Sequence, residues 1–254
     1  MGNVVTFEEI QDDIAVIRLN RPDKKNAISS ELRIQLDEII DNLHNNSSYK
    51  LVIFTGAGDA FCSGGDLQEF HGDISESEAY ALLRPMKEVL LKLATLPMPT
   101  IAWMNGTARG GGLEIASACD LRVVAPSGNY GFVQGQLGIA TGWGGGSLLY
   151  ERIHPQQAFQ WLIESDVRSA EQLIKNGFAN YILDEFETIE NSVFLTPYMQ
   201  RSIQQMKWWK EQRLANMDVL ELTKKMEREV EACSSLWESE AHREAVKHFF
   251  SKKK

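Results

Sequence analysis

Cysteine is scarce in this sequence, and the three that occur, Cys62, Cys119 and Cys233, are odd in number and far apart. That excludes a disulfide framework and fits a reduced, cytoplasmic protein. There is no CxxC pair and no His/Cys cluster at zinc spacing. His44, His71, His154, His242 and His248 are scattered, so no metal is expected. Also missing are a basic-then-apolar start and an apolar run approaching the roughly 20 residues of a membrane span, so neither a signal peptide nor a membrane anchor is expected. Basic charge is short as well: 26 Lys and Arg stand against 35 Asp and Glu, giving a net charge of -9. A general polyanion-binding surface is thereby excluded and nucleic acid is a poor partner, whereas a local basic patch for a small phosphorylated ligand is compatible. The dinucleotide fingerprint GxGxxG is absent too, which removes the main reason to expect NAD.

What is present suffices for one sizeable core: 254 residues, 43% of them hydrophobic. "DIAVIRLN" (13–20) has the β-branched, partly alternating character of a strand, and "RPDKKNAISS" follows as a polar turn. A helix is predicted after Ser29 or Ser30 from the spacing of Leu32, Leu36, Ile39, Ile40 and Leu43. "KLVIFTG" (50–56) repeats the grammar of strand and glycine loop, and the long helix over about 77–96 is predicted to be interrupted or bent at Pro85. "PTIAWMNG" (99–106) and "CDLRVVAP" (119–126) read as two further buried strands, and strands alternating with helices imply an α/β fold. Residues 1–195 are predicted to form that core. Residues 196–254, amphipathic and heavily charged, form a helical region packing on the core or on a neighbouring subunit.

Chemistry concentrates in two glycine loops, "FCSGGDLQEF" (61–70) and "ARGGGLEIA" (108–116), each placed where a strand gives way to a loop or helix. Either alone serves a turn or close helix packing. Together they offer one unencumbered backbone N–H apiece, enough for a two-donor oxyanion hole.

These motifs, with "NGTARGGGLEIASACDL" and "LGIATGWGGGSLL" at matching intervals, resemble the enoyl-CoA hydratase/isomerase, or crotonase, family over residues 7–193. The resemblance implies a crotonase-like ββα superhelix with a C-terminal helical region, a homotrimer or dimer of trimers, and a CoA thioester as substrate with no separate cofactor. It puts the oxyanion donors at Gly65 and Gly111. One of the two hydratase glutamates falls at Glu114, which on its own reads as a helix-capping or ion-paired acid. The position of the second holds Gln134, which orients water or a carbonyl but cannot cycle a proton as a carboxylate does.

In this respect, and in Trp143, the stretch resembles the family's ethylmalonyl-CoA decarboxylase branch. Loss of CO2 from a small malonyl-type thioester needs no base to remove an α-proton, so a decarboxylating lyase is the expected activity. Hydration or isomerisation relying on Glu114, thioester hydrolysis, and acyl-CoA binding without catalysis stay open. Trp143 either shapes the acyl pocket or packs as an ordinary core residue. Arg109, where the family usually has a small or apolar residue, either pairs with a substrate carboxylate or takes a salt bridge or a surface position. For CoA the resemblance offers Arg21, Lys24, Lys25, Ser63, Asp66, Leu67 and, from another subunit, Lys253. Cys62 has no base partner and reads as a small buried residue.

Overall fold

In the computed structural model, residues 2–10, 13–46, 48–66, 69 and 74–251 are described. Leu67 and Lys253 lie outside the described residues. In chain order the first elements are β1 (Val5–Ile10), β2 (Ile14–Leu19), α1 (Ser30–Asn45), β3 (Leu51–Gly56), β4 (Ala60–Cys62), α2 (Glu76–Ala94), β5 (Thr100–Met104), β6 (Thr107–Arg109) and α3 (Gly111–Ala118). They are followed by β7 (Leu121–Val124), β8 (Tyr130–Gly131), α4 (Gly145–Tyr150), α5 (Pro155–Glu164), α6 (Ala170–Lys175) and β9 (Tyr181–Ile182). Four C-terminal helices complete the order: α7 (Thr196–Met199), α8 (Ile203–Ala215), α9 (Val219–Ser235) and α10 (Glu240–Ser251).

Two sheets result, one ordered β1-β2-β3-β5-β7-β9 and one ordered β4-β6-β8. Among the named strands only the β1–β2 pairing is antiparallel and the others are parallel, while an isolated bridge joins Tyr130 to Arg168 antiparallel. Strands covered on both faces need apolar side chains at successive positions, which is what "IAVIRL" and "LVIFTG" supply. Alternation then sorts the side chains to opposite sides. Ala15, Ile17, Leu19, Val52 and Phe54 join the main core, while Ile14, Val16, Leu51 and Ile53 form a smaller one with Leu183 and Leu195.

Helix α1 starts where its cap is: the Ser29 side chain accepts from the Leu32 N–H, and Leu32, Leu36, Ile40 and Leu43 form the buried face. Helix α2 starts at a Ser75/Glu78 capping box and runs through Pro85 as one helix, against the expected interruption. Leu83, Met86, Val89, Leu90 and Leu93 bury on both sides of the proline, and that packing outweighs one missing N–H.

The C-terminal helices fold back on the same chain. Helix α9 presents Leu222, Met226, Val230 and Cys233 to the main core and packs against α2 and α4. Helix α8 is pinned by a buried ion pair: the Lys210 ammonium donates to both Asp120 oxygens at 2.9 and 2.7 Å and to the Ala94 carbonyl at 3.1 Å. Arg213 and Thr100 share Asp120. Removing one partner strands a buried charge, so Lys210→Met should destabilise the protein by about 3 kcal/mol. Urea unfolding followed by circular dichroism measures this; a cost below about 1 kcal/mol would mean that Arg213 alone suffices for Asp120.

Candidate active site

Strands β4 and β6 are parallel neighbours, with Cys62 opposite Ala108, so the two glycine loops leave the small sheet at the same end. Gly64 adopts φ +97°, and a Cβ there would stand 3.1 Å from the Arg109 carbonyl oxygen and 3.3 Å from the Gly111 nitrogen. The loops therefore touch through backbone, a proximity only glycine permits. Ile28 fixes the orientation of the first loop: its N–H donates to Gly64 O and its carbonyl accepts from Asp66 N, both at 2.8 Å. In such a parallel bridge the flanking residues make the bonds, so the N–H of Gly65 points away from Ile28. Gly111 is the first residue of α3, and a helix's first N–H groups have no intrahelical acceptor.

Glu114 lies one turn into α3 and is 2% exposed. Its carboxylate does not cap its own helix; it caps α4. Oε2 accepts from Trp143 N at 2.8 Å and Gly145 N at 2.9 Å, while Oε1 accepts from Gly142 N at 3.4 Å and from the Gln134 side-chain amide at 2.8 Å. Burial first, then the neighbouring charge of Glu229, pushes the Glu114 carboxyl up to about 7, against the lowering effect of the three backbone amides. The other atom of the Gln134 amide, Oε1, is buried without a hydrogen-bond partner among the described residues. Gln134 belongs to a 3-10 turn, Val133–Leu137, that follows β8, whose Gly131 pairs with Arg109 of β6.

Trp143 is buried, and its ring lies on Gly111: an added Cβ at Gly111 would fall 2.0 Å from the ring carbon Cζ3. Gly65, Gly111, Glu114, Gln134 and Trp143 thus come from four separate segments to one place. Arg109 ends β6 beside them, half-buried, with no ion-pair partner among the described residues, and burial pulls its guanidinium below its usual range. The salt-bridge alternative for Arg109 is therefore not realised among these residues.

The residues assigned to CoA divide differently. Arg21 is paired with Asp66 at 2.8 Å and also donates to the Ala27 carbonyl, so these two side chains tie one loop to the other. Ser63 is tied to the same loop through Lys25 O and Lys24 O. Lys24 and Lys25 are exposed at its tip. Burial pushes the Cys62 thiol up to about 12, which suits an inert packing residue. The described residues contain no group of three metal-ligating side chains, and no described helix is long and apolar enough to cross a membrane.

Sequence reasoning missed Glu229. From α9 its carboxylate accepts Gly146 N at 3.0 Å, Ser147 N at 2.7 Å and the Ser147 hydroxyl at 2.7 Å. Glu114 and Glu229 consequently divide the N-terminus of α4 between them. A local signal was present: Glu229 follows Met226 by three residues and precedes Cys233 by four, which sets an acid at the edge of the apolar stripe of α9 and not on its solvated face.

A family model described as enoyl-CoA hydratase/isomerase matches residues 9–254, extending through the C-terminal helices where the motifs are least telling. The chain is 31% identical over 202 residues to ethylmalonyl-CoA decarboxylase from Xenopus laevis, covering 78% of this chain and 68% of that protein. It is 29% identical over 249 residues to ethylmalonyl-CoA decarboxylase from Rattus norvegicus, covering 96% and 83%. Among solved structures, enoyl-CoA hydratase from Bacillus halodurans superposes with a TM-score of 0.87 at 25% identity, over 97% of this chain and 100% of that one.

Proposed function

Since the chain belongs to the enoyl-CoA hydratase/isomerase family and has its ββα fold, with a mixed sheet and a C-terminal helical bundle, we propose that it is a lyase decarboxylating a small malonyl-type CoA thioester. Members of the family are acyl-CoA enzymes that typically use neither a metal nor an organic cofactor. The observation that carries the finer reading is the contact of Gln134 with Glu114: one ionisable carboxylate stands where two-acid hydration needs two. Two ethylmalonyl-CoA decarboxylases among the relatives point the same way.

In this reading the bond between the α-carbon and the substrate carboxylate breaks, CO2 departs, and the electron pair becomes the thioester enolate. The N–H groups of Gly65 and Gly111 hold the enolate oxygen, where charge grows in the transition state. Trp143 supplies an apolar wall that disfavours the charged carboxylate relative to neutral CO2. Arg109, with no acid paired to it among the described residues, attracts the anionic substrate and orients it. Glu114 in its protonated form gives the proton to the α-carbon and recovers it from solvent, which balances the reaction. Lys24 and Lys25 at the exposed loop tip meet the CoA phosphates, with Ser63 on the same loop contact, while Arg21 and Asp66 shape the loop; Leu67 and Lys253 stay as CoA candidates from the family resemblance alone. Three buried thiols without disulfides suit a reducing, cytoplasmic setting, and the exposed Trp208, Trp209, Phe159 and Ile163 suit contacts in a homo-oligomer.

Purified protein incubated with malonyl-, methylmalonyl- and ethylmalonyl-CoA should release CO2 and hydrate crotonyl-CoA poorly. Gln134→Glu should reverse the preference, raising hydration about tenfold or more and lowering CO2 release. No CO2 from any of the three substrates, beside rapid hydration by the unaltered protein, would sink the decarboxylase reading.

A further inference from the structure

Two carboxylates at the start of one six-residue helix is an unusual concentration of negative charge. Five amides at and just before the start of helix α4 are shared out in chain order: Gly142, Trp143 and Gly145 to Glu114, then Gly146 and Ser147 to Glu229. The backbone there is packed tightly on both acids. A Cβ at Gly145 would fall 2.3 Å from Glu114 Cβ, and one at Gly146 would fall 3.3 Å from Glu229 Oε2. The Glu229 carboxylate thus has a fixed place beside Glu114, delivered by α9 from the far end of the chain.

We infer that Glu229 is a positioning residue for Glu114: by occupying the Gly146 and Ser147 donors it confines Glu114 to the three preceding amides and sets a second negative charge beside it, so that Glu114 exchanges a proton during turnover. The inference rests on the enolate reading of the site. The site is then completed in cis by the C-terminal helix, which gives that helix a role beyond packing.

Few other charges compete for Glu114. Facing it are Glu229 and the Cys233 thiol from α9, the neutral amide of Gln134, and the loop amides. Burial, then the two carboxylates, pushes the Cys233 thiol far up and keeps it neutral. Of the elements packed on α3, β4 brings Cys62, also neutral, β5 brings no ionisable group, α4 only Tyr150, and β6 ends in Arg109. Helix α2 brings Lys87, which is paired with Glu88 and Glu227. Arg122 and Arg152 bind the last carbonyls at the opposite end of α3.

The test is a titration of the free protein, with glutamate side-chain carboxyls labelled with carbon-13 and the Glu114 resonance assigned by its loss in Glu114→Gln. In the unaltered protein the Glu114 midpoint should lie near pH 7, as burial and Glu229 require. In Glu229→Gln it should fall by roughly one pH unit or more, and the alkaline limb of the kcat profile, where the protonated Glu114 is lost, should move down with it. Glu231→Gln, which removes a charge from the exposed side of the same helix, should leave the midpoint in place. Should Glu229→Gln lose its fold, Glu229→Asp withdraws the charge by one methylene and should give a smaller fall. An unchanged midpoint in the folded Glu229 variant overturns the inference, as does a midpoint in the ordinary carboxylate range in the unaltered protein. The titration needs no substrate. Absence of CO2 release with a midpoint that still depends on Glu229 therefore overturns the decarboxylase reading and leaves this coupling standing.

Discussion

Gly111→Ala should lower kcat for CO2 release by about 10²- to 10³-fold, the usual consequence of losing one oxyanion donor. The substitution keeps the N–H itself, so the effect is purely one of position. Its Cβ would fall 2.0, 2.4 and 2.7 Å from three ring carbons of Trp143, a side chain only 4% exposed. A buried indole is not the loose end of a flexible chain, so either the ring tips into the acyl space or the Gly111 amide retreats. A retreating amide withdraws the donor from the enolate oxygen and a tipped ring pushes the acyl group away from it, and overpacking of this kind destabilises a core by about 1–3 kcal/mol. Trp143→Leu in the Gly111→Ala background removes the obstruction and should restore at least tenfold of the lost kcat, at a small cost in stability. Steady-state kinetics on the two variants, with thermal unfolding alongside, decides the matter. Full turnover by Gly111→Ala would remove the Gly111 amide from the chemistry.

The same contact shows where sequence reasoning reaches and where it stops. The glycine loops were legible because their requirement is local: a positive φ at Gly64 and a close approach at Gly111 leave glycine as the only residue for the place. The strands were legible because burial on two faces demands uninterrupted apolar side chains, and the start of α1 because its serine cap precedes a regular apolar stripe. Glu114 and Gln134 were found, yet the backbone partners of Glu114 were not, since they are amides at and just before the start of α4, separated from it by 28 to 31 residues. A cap for another helix leaves no spacing signature. Arg21 illustrates the same limit: nothing local announces that its guanidinium meets Asp66, 45 residues away. Glu229 lies further still, 83 residues from the Gly146 amide it holds. At Pro85 the local rule allowed an interruption or a bend, and tertiary packing on both sides of the proline keeps the helix uninterrupted.

Glu114→Gln should reduce kcat for CO2 release by about 10²-fold, because an amide cannot deliver the proton that closes the reaction. It should also change how stability depends on pH, with a sign that follows from linkage. The Glu114 carboxyl is raised from 4.5 in the unfolded chain to about 7 in the fold, so the native state binds its proton more tightly. Its favourable contribution is whole below about pH 4.5 and is lost as pH rises through 7, amounting to about 3 kcal/mol at most. Glutamine does not titrate. Its carbonyl oxygen takes over the bonds from Trp143 and Gly145, and Gln134 turns its amide so that the orphaned Oε1 accepts from the new side-chain N–H. That rearrangement satisfies a buried acceptor which the ionised glutamate leaves bare. Relative to the unaltered protein, Glu114→Gln should therefore gain about 2–3 kcal/mol on going from pH 5 to pH 8, measured as the difference between urea unfolding free energies at the two pH values. A difference that does not move with pH would mean that Glu114 titrates alike in the folded and unfolded chain, and an unreduced kcat would take the proton transfer away from it.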